Sequence, residues 1–152
     1  MANNTNLKES KLAIEGGTPV RKELLPYGKQ FVEQNDIDAV IKVLQSDWLT
    51  TGPTLMDFEK QFAEQVGAKH AIAVNSGTAG LHCAVYAADI GPGDEVISVP
   101  ITFYATVGAI IAVGARPVFV DIDDRYQMDE SLIPKVITEK TKAILPVHWG
   151  GA

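Results

Sequence analysis

Two kinds of apolar spacing divide the chain. Between residues 35 and 66 the apolar side chains recur every three or four positions: Ile37, Val40, Ile41 and Leu44, then Leu55, Phe58, Phe62 and Val66. That spacing places each set on one face of a helix. Asn35 is the expected N-cap of the first helix, the loop Ser46-Asp47-Trp48-Leu49-Thr50-Thr51-Gly52-Pro53 ends it, and Gly67 stops the second. From residue 70 onward short apolar runs alternate with helical stretches. The pattern predicts strands over 70–75, 95–99, 117–121 and 142–147, with helices near 78–89, 102–113 and 130–138. Gly91-Pro92-Gly93-Asp94, Gly114 and Asp123-Asp124 punctuate them, and Pro134 belongs in the first turn of the last helix, where its missing N–H is tolerated. Alternation of this kind builds right-handed βαβ units around a mostly parallel sheet, an α/β fold. Ahead of it, residues 1 to about 10 are polar, and Gly16-Gly17-Thr18-Pro19 and Pro26 favour turns. Residues 1–30 are therefore expected to be a tail and an irregular arm, and 31–152 the folded domain.

Composition narrows what such a domain can bind. With 46% hydrophobic residues among 152, the chain can bury one core. Its formal charge of −6 is dispersed through mixed acidic and basic surface, which disfavours an electrostatic grip on nucleic acid or on an anionic membrane. Any anionic ligand must then be held locally. No apolar run approaches the ~20 residues that span a bilayer, and the polar start (Asn3, Asn4, Thr5, Asn6) has no signal-peptide core, so a cytoplasmic protein is expected. Cys83, between Leu81 and Val85, has no disulfide partner and is expected as buried filler on an apolar helix face. The last predicted strand is followed only by Trp149-Gly150-Gly151-Ala152, with no helix to cover it. Parallel strands normally have helices on both faces, so the sequence reads as the N-terminal part of a longer protein.

The strongest chemical signal is Asn75-Ser76-Gly77-Thr78-Ala79-Gly80, between an apolar run and a helical one. Small residues turning from a strand into a helix leave free N–H groups at the positive end of the helix dipole, a cradle for phosphate. Three loops are expected on one rim: those after 70–75, 95–99 and 142–147. The second carries Phe103, which on residue type reads first as a helix-to-sheet packing residue and second as a ring that stacks on a flat cofactor. The third carries His148 and Trp149, which by themselves read as structural. The 75–80 turn lacks G-x-G-x-x-G, and no Walker A ending is present, so nicotinamide and nucleoside-triphosphate chemistry lose support. His70, His82 and His148 are far apart and show no metal-ligand spacing, so no metal is expected. The acidic Gly93-Asp94-Glu95-Val96 reads as a solvated turn.

Five segments together carry a resemblance: Gly16-Gly17-Thr18-Pro19-Val20, Trp48-Leu49-Thr50-Thr51-Gly52-Pro53, Asn75-Ser76-Gly77-Thr78-Ala79-Gly80-Leu81, Gly91-Pro92-Gly93-Asp94-Glu95-Val96-Ile97 and Pro146-Val147-His148-Trp149-Gly150-Gly151. In order and spacing the chain resembles the N-terminal portion of the DegT/DnrJ/EryC1/StrS family, pyridoxal-phosphate aminotransferases of fold type I that aminate keto-sugars. The resemblance implies part of a three-layer α/β/α large domain. It implies that Gly77, Thr78 and Ala79 hold the phosphate of pyridoxal 5'-phosphate and that Phe103 stacks on its ring. It also implies that Tyr27, Trp48, Leu49, Thr50 and Ser76 line the sugar pocket, often across a homodimer interface. The implied substrates are a keto-sugar, mostly nucleotide-linked, and glutamate or glutamine as amino donor. The family's Schiff-base lysine and the aspartate for the pyridine nitrogen fall beyond Ala152. Lys69, Lys135, Lys140 and Lys142 read as solvated, so no catalytic residue is nominated and the chain alone is expected to be inactive. Two other readings stay open: a sugar dehydratase of the same family, with histidine in place of the lysine, and a non-catalytic phosphate-binding fragment.

Overall fold

The computed structural model describes residues 11–151, so the tail expected over residues 1 to about 10 lies outside them. The chain divides between Thr54 and Leu55 into two units. In the first, a single 3-10 turn at Ala13–Glu15 precedes an irregular stretch and helix α1 (Gln34–Leu44). The cap of α1 is Glu33, not Asn35: the Glu33 carboxylate accepts from the Asp36 N–H while the Asp36 carboxylate accepts from the Glu33 N–H at 2.8 Å. This reciprocal box satisfies two end groups where a single asparagine would satisfy one. Asn35 sits inside the first turn, its Oδ1 accepting from the Asp36 N–H at 3.0 Å. Ile37, Val40, Ile41 and Leu44 take the predicted helical spacing, and all four are exposed. After α1, Ser46 Oγ donates to the Val43 carbonyl and accepts from the Trp48 N–H, turning the chain at the predicted loop. Gly52 lies at φ +86°, and a Cβ there would stand 2.8 Å from Trp48 Cβ.

In the second unit α2 (Pro53–Val66) continues as predicted and carries the Phe58–Phe62 ring contact, centroids 5.9 Å apart. The expected strand at 70–75 does not form a ladder with any described strand. Its Ala73 N–H is taken instead by the Glu59 carboxylate at 2.8 Å. Helix α3 (Gly77–Ala87) follows, then β1 (Glu95–Ser98), α4 (Tyr104–Ala112), β2 (Arg116–Phe119), a 3-10 turn at Glu130–Leu132 leading into the short α5 (Ile133–Val136), and β3 (Thr141–Ile144). The last predicted helix is thus shortened. Asp129 caps its 3-10 start by accepting from the Ser131 N–H, Pro134 sits in the first turn of α5, and Ile137 already has extended backbone.

The three strands are all parallel, in the order β2-β1-β3. Beyond β3 the Leu145 N–H still reaches the Ile97 carbonyl at 2.8 Å. All four residues of β1 are buried. Val96 faces α3 and α4 through Val85, Ile90, Ala109 and Ile110. Ile97 and Val99 face the other way, toward Val120, Met128, Ile133 and Val136. Helical segments therefore cover both faces of the sheet, as the α/β reading expects.

Two sequence readings are corrected here. Cys83 is exposed: it lies two residues from both Leu81 and Val85, about 200° around the helix from the buried side. Glu95 is not in a solvated turn but only 3% exposed, paired with the Arg116 guanidinium and accepting from Thr138 Oγ1 at 2.8 Å. One carboxylate thereby links β1, β2 and the approach to β3. The Arg116 hydrogen bond first, and then Thr138, hold its pKa below the usual 4.5, against the opposing effect of desolvation. A depressed carboxyl pKa stabilises the fold above the unfolded-state value and ceases to do so as pH falls through the folded one. Denaturant midpoints measured from pH 7 downward should fall below about pH 4.5 in the native chain and show a shallower acid dependence in Glu95→Gln. Ile97→Ala, in a fully buried site, should cost about 2–5 kcal/mol in the same unfolding measurement.

Candidate functional site

The turn at 75–80 is built by the end of an irregular apolar segment and the start of α3. Ser76 has extended backbone and caps the helix, its Oγ accepting from the Ala79 N–H at 3.1 Å. That bond occupies the Ala79 donor and gives Ser76 a capping role. The N–H groups of Gly77 and Thr78, in the first helical positions, have no intrahelical acceptor. A Cβ at Gly77 would meet nothing within 4 Å, so the backbone there is open to an incoming group. Gly80 has the opposite reason to be small: its Cβ would lie 3.4 Å from Val74 Cγ2, where α3 crosses the preceding segment.

Helix α4 starts directly after Phe103, and Thr102 Oγ1 donates to Thr106 Oγ1 at 2.8 Å across its first turn. Phe103 is 77% exposed, so it does not pack between helix and sheet, the reading its residue type favours. Its ring instead borders a cavity of about 530 Å³ together with Gly77, Thr78, Gly80, Leu81, Ala84, Ala105 and Thr106. None of these lining side chains is ionisable. An anion placed there would meet the α3 dipole, the two N–H groups of Gly77 and Thr78 and the Thr78 hydroxyl rather than a charged side chain. Leu81, Ala84 and Thr106 were not singled out from the sequence, although the spacing of Thr102 and Thr106, four apart at a helix start, marks them as neighbours.

The structure thus brings Gly77, Thr78 and Phe103 together, with Ala79 half-buried one residue behind. The third loop does not border this cavity. Pro146, Val147 and His148 line a different one, of about 730 Å³, with residues between Asp123 and Ile133. There Asp123 has its pKa lowered, chiefly by the Gln127 N–H that donates to it, with desolvation opposing and Arg125 assisting. Tyr27, Trp48, Leu49 and Thr50 belong to the first unit, where all four are exposed. Lys69, Lys135, Lys140 and Lys142 are exposed as expected, and no lysine borders the Phe103 cavity. Among the described residues, no helix is long and apolar enough to cross a membrane.

Comparison with known proteins identifies relatives of the chain. The chain is 48% identical over 132 residues to the spore coat polysaccharide biosynthesis protein SpsC of Bacillus subtilis (strain 168), a match covering 86% of this chain and 34% of SpsC. It is 46% identical over 131 residues to the UDP-4-amino-4-deoxy-L-arabinose–oxoglutarate aminotransferase of Shewanella sediminis (strain HAW-EB3), again covering 86% and 34%. The chain therefore spans about a third of the length of these curated relatives. Among solved structures, Spr1654 from Streptococcus pneumoniae in its PLP-form superposes with a TM-score of 0.79 at 38% identity, covering 84% of this chain and 33% of that one. The model of one family matches residues 30–152, and on that match the chain belongs to the DegT/DnrJ/EryC1/StrS aminotransferase family.

Proposed function

We propose that this chain forms the cofactor-phosphate cradle of a pyridoxal-phosphate-dependent aminotransferase that transfers an amino group from glutamate or glutamine to a nucleotide-linked keto-sugar. The observation that carries the reading is the pairing of an open helix N-terminus at Gly77–Thr78 with an exposed Phe103 across one uncharged cavity. A flat aromatic cofactor with a phosphate tail fits both features. Gly77 and Thr78 would take the phosphate through backbone N–H groups and the threonine hydroxyl, and Phe103 would face the ring. When bound, the cofactor supplies an electron sink that lets an amino group leave one substrate and join another. The chain's own residues anchor it, orient its ring and cover one face from water.

The relatives support the substrate class. One is named for transfer between a UDP-linked amino sugar and oxoglutarate, which makes glutamate its partner, and the other for polysaccharide biosynthesis. The lysine that attaches the cofactor is assigned to the part of the family fold that this chain does not span, so the 152 residues alone should not transaminate. Tyr27, Trp48, Leu49, Thr50 and Ser76 are assigned to the sugar pocket. The exposed row Ile37, Val40, Ile41 and Leu44 suits a face covered in a homodimer. The enzyme is placed in the cytoplasm, and residues 31–152 within its large domain.

Cofactor titration of the full-length protein, followed by absorbance, tests the cradle. Thr78→Val should weaken affinity about tenfold or more, the loss of one hydrogen bond to a charged group. Phe103→Ala should weaken it several-fold, roughly the 0.5–1.5 kcal/mol of an aromatic stack, and shift the absorbance of the bound cofactor. Unchanged affinity in both variants would refute the assignment.

A further inference from the structure

Loops that follow neighbouring parallel strands emerge side by side at the edge where open α/β sheets bind ligands. β1 and β3 are such neighbours, and where both end Ser98 Oγ donates to the Leu145 carbonyl at 2.8 Å. The turn that follows β3, residues 147–151, thus leaves the sheet beside the turn that delivers Phe103. Gly150 and Gly151 both lie at positive φ, 69° and 84°, so this turn is closed by two residues of high backbone freedom. Inside the turn the Trp149 N–H donates to the Val147 carbonyl and the Gly151 N–H to the His148 carbonyl, both at 3.1 Å, and a further contact ties the turn to the rest of the fold.

That contact comes from Gln127. Its Nε2 donates to the Trp149 carbonyl at 3.0 Å, across 22 residues of sequence. Gln127 is in turn aimed by Asp123. The Asp123 Oδ1 accepts from the Arg125 and Gln127 N–H groups, both at 2.9 Å, and its Oδ2 accepts from Arg125 Nε at 3.0 Å. The Asp123 N–H closes the loop on the Gln127 carbonyl at 2.8 Å, and Ile122 bridges Met128 behind it. Tyr126 stands at φ +62° within this loop, an unfavourable conformation for a tyrosine that the surrounding bonds impose. A loop this constrained, ending in one side-chain bond to a distant and pliable turn, has the form of a strap.

We infer that Gln127 is a positioning residue that holds the 147–151 turn as a wall of the amino-acceptor site, with Asp123 holding Gln127. The inference rests on the aminotransferase reading. The turn offers an acceptor sugar the half-exposed Trp149 ring, an apolar face with one N–H donor. Because the turn borders a different cavity from Gly77 and Phe103, loosening it should act on the sugar and spare the cofactor.

Steady-state kinetics on the full-length, cofactor-loaded protein with a nucleotide-linked keto-sugar test this. Gln127→Leu removes the donor at similar size and should raise KM for the keto-sugar about five- to tenfold, with kcat within about twofold and the cofactor spectrum unchanged. Gln127→Lys returns a donor of similar reach and should recover most of that loss. Asp123→Asn, which weakens the acceptor that aims Gln127, should change KM in the same direction by less. An unchanged sugar KM in Gln127→Leu and Asp123→Asn overturns the inference while leaving the aminotransferase reading intact, and so does a loss of cofactor affinity that matches the loss of activity. A native protein that takes up no pyridoxal phosphate, or turns over no keto-sugar, overturns both.

Discussion

Every strand pairing among the described residues passes through β1, four residues long and closed on all sides. Its Val96 and Ile97 have no exposed surface, so each face must be met by a covering layer before the strand is worth burying. α3 and α4 meet one face, and the residues from Val120 to Val136 meet the other. The placement of both candidate loops follows from that requirement. A parallel neighbour on each side and a helical layer on each face leave only the ends of the strand free, and the loops carrying Phe103 and Trp149 follow the carboxyl ends of β1 and β3.

The same constraint explains why a charged residue is buried at the start of β1. A carboxylate at Glu95 sits at the junction of three segments and must be paired to be tolerated; Arg116 from β2 and Thr138 ahead of β3 supply the partners. The ladder between β1 and β3 is irregular at this point, pairing Glu95 with Thr141 and Val96 with Ala143 and so skipping Lys142. A one-residue skip decides which side chains of the following strand face which layer. After it, Ala143 and Leu145 reach the α3–α4 layer, while Ile144 and Pro146 border the cavity on the other face. A polar contact at the foot of the sheet thus bears on what stands at its rim.

Local signals in the sequence were the ones that could be read. The helices at 34–44, 53–66, 77–87 and 104–112 follow from side-chain spacing within one segment, and so does the small-residue turn ahead of α3. What escaped depends on partners distant in sequence. The 70–74 segment has the apolar content of a strand, but a strand exists only where a second one pairs with it. The burial of Glu95 depends on Arg116, 21 residues away, and the strap from Gln127 on Trp149, 22 residues away. Asn35 and Cys83 erred for smaller reasons: the two-sided cap at Glu33 outcompetes a one-sided one, and Cys83 is a half-turn out of phase with Leu81 and Val85. For the candidate site, the Gly77–Thr78 turn was legible because it opens a helix, whereas Phe103 read by residue type first as a packing residue, and its stacking role was favoured only by the family resemblance. Their convergence on one cavity required α3 to pack on α4.

The absence of ionisable side chains around that cavity sharpens the chemical argument. A chain with a formal charge of −6 repels an anion at long range, and a lysine or arginine beside the cradle would be the simplest compensation. Here the lining is glycine, alanine, threonine, leucine and phenylalanine, so in the proposed site fixed backbone dipoles would supply the attraction. Such dipoles carry no counterion shell and need no reorientation when a ligand arrives, whereas a flexible lysine must be immobilised. They also leave the neighbouring wall uncharged, so the Phe103 ring faces the cavity without a charged side chain beside it. In the proposed site a phosphate grip made of main chain and a ring contact made of phenylalanine would share one cavity, since neither would need a counter-charge between them.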